Sequence, residues 1–261
     1  MSDFQPFLPF AQRLAAEAGE LITGYFRRTV ARRKSDGTLV TEADERANDW
    51  IVNAIQSAWP DHGILSEEGS TTYDPAVEYT WVIDPLDGTT NFARGFPIWG
   101  VSIGLLREGV PVVAVVDFPL LGESYWATAG RGAFCNGEAL ETDQAANIDN
   151  QQIFTQCTRT RRRLHIRLPL KARMLGSAAY HLLVMARGAS LVAVESTPKV
   201  WDLAGAVLVA QEAGGVVEGL DGSAVFPLPT EALDYAAISR PVLAAANRNV
   251  LEEFRASISP V

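Results

Sequence analysis

"YTWVIDPLDGTTNF", Tyr79 to Phe92, joins an apolar run to two acids, a proline and a glycine. Tyr79 to Pro85 reads as a buried strand, and Asp84 and Asp87 end it three positions apart. Unpaired acids at a buried strand end cost stability, so something must neutralise them. The candidates are a metal ion, an arginine from elsewhere in the chain, or water. Pro85 fixes its own backbone and biases Asp84 towards an extended conformation, which holds that carboxylate still. The Leu86 carbonyl can point the same way as the acidic side chains. Gly88 lets the backbone approach a ligand closely. Thr89 and Thr90 open a short helical turn whose free N–H groups suit an anion. The stretch thus places oxygen ligands beside a phosphate cradle. Oxygen ligands without His or Cys select Mg²⁺-type ions over zinc.

Working outward, other acids also sit at element ends. Glu67 and Glu68 follow the short strand in "HGILSEEGS", Asp44 starts a helix, and Asp202 starts another. Each has an ordinary alternative. Thr41 with Asp44 resembles a capping box, Asp202 suits a helix dipole, and acids after strands are common loop residues. Phe7, Ala11, Leu14, Ala18, Leu21 and Tyr25 repeat at helical spacing. A second helix is expected from Glu42 to Trp59, stopped by Pro60. Strands follow at Trp99–Leu106, Val112–Phe118 and Ser124–Ala129, separated by turn signals. Residues 142 to 152 are polar and uneven, so two domains are expected, 1–145 and 146–261. The second half alternates strands "IFTQC", "LVAVES" and "VLAAAN" with helices "SAAYHLLVMA" and "WDLAGAVLVAQEAGG". Mixed sheet with flanking helices in α/β layers is the expected architecture.

The 261 residues can bury a sizeable core, and a net charge of −9 argues against a general nucleic-acid binder. It leaves room for an anionic substrate at one local site. Cys135 and Cys157 form no CxxC pair and are expected to be reduced, buried thiols. The start of the chain lacks the basic-then-apolar pattern of a signal peptide. The longest apolar stretch, Val110 to Leu121, contains Asp117 and is too short to span a bilayer. A soluble, cytoplasmic protein with no membrane partner is expected.

"WVIDPLDGTTNF" together with "VWDLAGAVLVAQEAGG" resembles the two signature segments of the inositol monophosphatase family. "KSDGTLVTEAD", "ILSEEG" and "LGSAAYHLLVMARGA" are similar to three further family segments in the expected order, so the resemblance spans most of the chain. It implies an αβαβα layered sandwich and a homodimer. It also implies a lithium-sensitive phosphatase that uses two to three Mg²⁺ ions and a metal-activated water, without a phosphoenzyme. Glu67, Asp84 and the Leu86 carbonyl would hold one ion. Asp84, Asp87 and Asp202 would hold a second. Asp44 would approach a third, largely through water, and Glu67 would also face it. Gly88 and Thr89 would bind phosphate through backbone N–H groups, and Thr89 would help Glu67 orient the nucleophilic water. His62, His165 and His181 have no part in this scheme and are read as surface or packing residues.

Asp87, Ala178, Glu195 and Asp202 match the substrate side of the family site. Glu195 can accept hydrogen bonds from polyol hydroxyls, or it is an ordinary strand-end acid. Many relatives carry Pro directly before the Trp of the second signature, where this chain has Val200; Lys199 is beside it. The expected substrate is a small polyol phosphate resembling inositol 1-phosphate. Family alternatives are fructose 1,6-bisphosphate, histidinol phosphate and nucleotide 3′-phosphates. The stretch Arg159 to Arg173 carries seven of the chain's 22 cations. Its alternation from Arg163 to Leu170 reads as a strand with one basic face. That face is a solvated sheet edge, a contact for a second phosphate, or a contact for a subunit or RNA. A regulatory binding role on the same fold is the alternative to catalysis.

Overall fold

Helix α1 (Phe7–Tyr25) buries Phe7, Ala11, Leu14, Ala18 and Ile22, a stripe spaced by three and four. Helix α2 (Glu42–Ala58) begins on the capping box formed by Thr41 and Asp44 and buries Ala47, Ile51 and Ile55. The computed structural model describes residues 4, 6–34, 37–144, 147–231 and 233–261. The boundary expected after residue 145 falls on Ala145 and Ala146, which lie outside the described residues, as do Ser35 and Asp36 of "KSDGTLVTEAD".

Both helices pack on one face of a seven-stranded sheet. Its order is Glu138–Ala139, Ala133–Cys135, Glu123–Thr128, Val110–Phe118, Gly100–Arg107, Tyr79–Asp87 and Gly63–Ser66. Only the last pair is parallel, with Ser66 opposite Ile83. That register puts Glu67 beside Asp84, and the Glu67 N–H donates to the Ile83 carbonyl at 3.2 Å. The two acids thus lie side by side at the same end of the parallel strand pair.

The opposite face of this sheet carries helices α5 (Ala178–Ala186) and α6 (Val200–Glu212), which are buried almost all round. They are sandwiched against a second sheet, ordered Lys171–Arg173, Ile153–Gln156, Val192–Glu195, Val242–Ala245 and Val216–Gly219. A helix apolar on every side needs such a position between two layers. Helix α7 (Arg248–Ser257) covers the outer face. The layers run αβαβα, as the resemblance implies, and one core cluster draws side chains from both sheets and both central helices. No helix among the described residues is long and apolar enough to cross a membrane.

The basic segment departs from its expected form. Thr158–Arg163 is a short helix, α4, whose first turn is capped by Cys157: its Sγ accepts from the Thr160 N–H at 3.3 Å. Arg161, Arg162 and Arg163 close the helix, where cations suit the dipole. The strand is only Leu164–Ile166, and it pairs with Ile258–Pro260 from the far end of the chain. Lys171–Arg173 is the exposed edge of the second sheet, where charge discourages further pairing. Cys135 and Cys157 are free thiols and half-buried rather than fully buried.

Candidate active site

In a regular strand, residues three apart point to opposite faces. Asp84 pairs with Ser102 but Asp87 with Gly100, so one extra residue bulges out between the two acids. The bulge reverses the alternation and lets both carboxylates face the same cavity. Asp202 comes from the first turn of α6. That helix lies so close to the sheet that a Cβ on Gly205 would meet Ser102 Oγ and Val116 Cγ2 at 2.9 Å. Ligand oxygens of Asp84, Asp87 and Asp202 converge to within 4.8 Å of one another.

Each carboxylate is held by donated hydrogen bonds. Asp84 Oδ1 accepts from the Leu86 N–H at 2.9 Å. Asp87 accepts from the Ser177 hydroxyl, the Ala178 N–H (3.2 Å) and the Ala179 N–H (3.0 Å) at the start of α5. Asp202 Oδ2 accepts from the Lys199 N–H at 2.7 Å. Burial, and then repulsion by the other acids, pushes Asp84 and Asp202 well above the usual carboxylate range. Burial also raises Asp87, against the pull of its three donors. A cluster of this kind favours any cation that replaces the missing solvent.

Glu67 stands next to this trio rather than within it. Burial pushes it up to about 7, although Lys34 Nζ donates to it at 3.3 Å and to Glu68 as well. Asp44, 1% exposed, spends one oxygen on its cap: Oδ2 accepts from Thr41 N (2.8 Å) and Oγ1 (2.6 Å). Its Oδ1 faces Thr89, whose hydroxyl lies 3.1 Å from it and 3.0 Å from the Leu86 carbonyl oxygen. Burial raises Asp44 to about 6. Gly88 has φ 92°, and a Cβ there would sit 2.9 Å from the Ile98 carbonyl. This tight turn starts α3 (Thr89–Arg94), whose first N–H groups have no intrahelical partner.

A cavity of about 910 Å³ is lined by Glu67, Asp84, Leu86, Asp87, Gly88, Thr89, Ala178, Glu195 and Asp202. Of the expected site residues, only Asp44 does not line it, and Asp44 acts on it through Thr89. His181, read from sequence as a packing residue, also lines it. Its Nε2 accepts from the Leu175 N–H at 2.8 Å, so the proton is on Nδ1 and is donated to Glu195 Oε1 at 2.6 Å. Burial lowers His181 to about 4 and raises Glu195 to about 8. The other two histidines fit their reading: His62 Nδ1 accepts from Trp81 Nε1 at 3.0 Å among aromatic rings, and His165 is exposed. Lys199 points away, donating to the Ala236 carbonyl at 2.6 Å.

The donor set fits a hard divalent cation. It offers only carboxylate and carbonyl oxygens, while His181 and Cys157 are committed to protein partners.

The family model described as the inositol monophosphatase family matches residues 3–259. Human inositol monophosphatase 1 is 30% identical over 275 residues, covering 99% of this chain and 96% of that protein. A histidinol-phosphatase of Chlorobaculum parvum is 37% identical over 221 residues, covering 80% and 84%. The solved inositol monophosphatase of Anabaena (Nostoc) sp. PCC 7120 superposes with a TM-score of 0.75 at 29% identity, covering 98% and 96%.

Proposed function

The chain belongs to the inositol monophosphatase family, and from that premise we propose that it hydrolyses a small polyol phosphate with Mg²⁺. That it is a phosphoric monoester hydrolase follows from the family. The observation that carries the finer reading is the convergence of Asp84, Asp87 and Asp202 within 4.8 Å beside the turn at Gly88.

In this reading Glu67, Asp84, Asp87, Asp202 and the Leu86 carbonyl would hold the cations, and Asp44 would approach a third, weaker one, largely through water. Bound Mg²⁺ supplies Lewis acidity towards the phosphoryl oxygens and lowers the pKa of water. The N–H groups of Gly88 and Thr89 take the phosphate oxygens. The Thr89 hydroxyl, fixed by Asp44 and Leu86, orients the attacking water together with Glu67. Asp87 and Asp202 face the leaving alkoxide side, near Ala178. Glu195 accepts from polyol hydroxyls, and His181 holds its carboxylate in place. Histidinol phosphate is the second reading, favoured by the identity to the Chlorobaculum enzyme.

The test is phosphate release from a panel of inositol 1-phosphate, histidinol phosphate, fructose 1,6-bisphosphate and adenosine 3′,5′-bisphosphate. It is run with Mg²⁺ and with EDTA, and Asp87→Asn is the control. Mg²⁺-dependent release that the control lacks is expected. No release from any compound at saturating Mg²⁺ would sink the proposal.

A further inference from the structure

Three arginines line the cavity: Arg33, Arg94 and Arg159. They come from three separate parts of the chain, and all are exposed at its mouth. None makes an ion pair among the described residues, in a chain with 31 acids that pairs many of its other cations. Two are steadied by single neutral oxygens: Arg33 donates to the Gly37 carbonyl at 3.0 Å and Arg159 to Thr197 Oγ1 at 3.2 Å. A guanidinium carries five donors, so most have no partner among the described residues.

The cavity is also large for its expected load. At about 910 Å³ it lies at the upper end of the range that encloses drug-sized ligands. A six-carbon polyol monophosphate is smaller than the drug-sized ligands that such cavities enclose. Arg159 is tied to Thr197, two residues beyond Glu195, and all three line the cavity, so Arg159 stands on the Glu195 side of it.

The geometry points to a second anion subsite at the cavity mouth, where Arg33, Arg94 and Arg159 bind a phosphate or carboxylate on the far end of the substrate. This rests on the phosphatase reading and narrows its substrate class to doubly anionic esters. Planar guanidinium forks suit both phosphate and carboxylate oxygens. The same charges repel a cationic tail, which sets this cavity against an amino-alcohol phosphate such as histidinol phosphate.

The test compares kcat/KM for fructose 1-phosphate, fructose 1,6-bisphosphate and 6-phosphogluconate, with Mg²⁺. The second compound adds a phosphate and the third offers a carboxylate. The wild type should prefer a doubly anionic ester by about tenfold or more, since one charge-assisted contact supplies about that factor. The difference should lie in KM. The arm that gains identifies phosphate or carboxylate as the preferred group. In the triple variant Arg33→Gln/Arg94→Gln/Arg159→Gln the ratio should collapse towards one. Arg13→Gln, on α1, should leave the ratio unchanged. A wild-type ratio near one overturns the inference. So does a triple variant that weakens all three esters alike, because the arginines then only offset the cage's own charge. If no ester is hydrolysed, the phosphatase reading fails separately. Calorimetric binding to the Ca²⁺-loaded protein then decides the subsite: tighter binding of the bisphosphate than of the monophosphate supports it, and equal binding overturns it.

Discussion

Replacing Asp84 by Asn should stabilise the metal-free protein and abolish its response to Mg²⁺. Two full charges at 4.8 Å, the distance within which the trio's ligand oxygens all lie, repel by about 3.5 kcal/mol at an effective dielectric of about 20. Asparagine keeps Oδ1 for the Leu86 N–H and removes the charge that faces Glu67, Asp87 and Asp202. A retained proton already relieves part of this repulsion in the wild type, so the expected gain is about 1–3 kcal/mol. For a chain of this length that raises Tm by about 2–10 °C. In the wild type, one ion at about 100 times its Kd adds about 2.7 kcal/mol, a rise of about 5–10 °C. Differential scanning calorimetry in EDTA and in Mg²⁺, on both proteins, reads both effects. A variant less stable than wild type in EDTA refutes the reasoning. So does a variant with an undiminished Mg²⁺ shift.

Metal-free wild type should gain stability as pH falls from about 8 to about 5. Glu195 (about 8), Glu67 (about 7) and Asp44 (about 6) hold protons in the fold that the unfolded chain releases at lower pH. The stabilising proton is bound below the folded pKa and lost as pH rises through it; a urea midpoint that climbs with pH in EDTA contradicts this. Gly88→Ala should cost about 2–4 kcal/mol in urea unfolding, from left-handed strain and the 2.9 Å approach to the Ile98 carbonyl. A fully stable variant would show that the turn has room. His181→Leu should raise KM for the polyol ester about tenfold, by freeing Glu195, and leave the Mg²⁺-induced Tm shift intact. An unchanged KM would make His181 a packing residue after all.

The features written in local pattern were legible in the sequence. Helices α1 and α2 follow from three-and-four spacing, and the latter starts at its capping box. The strand-end acids were visible because charge after an apolar run is unusual. What brings them together was not visible. The parallel pairing that sets Glu67 beside Asp84 is a long-range choice, and the bulge that turns Asp84 and Asp87 to one side depends on the partner strand. The arginine alternation misled because Leu164–Ile166 pairs with residues nearly a hundred positions away, while the Cys157 cap draws Arg161 to Arg163 into a helix. His181 was hidden in "AAYHLLVMA", where apolar neighbours make it look like core. Its role appears only when the strand ending in Glu195 is laid alongside α5.

The central claim is that the acids around "DPLDGTT" form a cation cage. Anomalous diffraction from crystals soaked in Mn²⁺, a scatterer in place of Mg²⁺, tests it most directly. A peak bounded by Asp84, Asp87 and Asp202, with another towards Glu67 and the Leu86 carbonyl, is the predicted result. Saturating Mn²⁺ with no density among these four carboxylates would contradict the account.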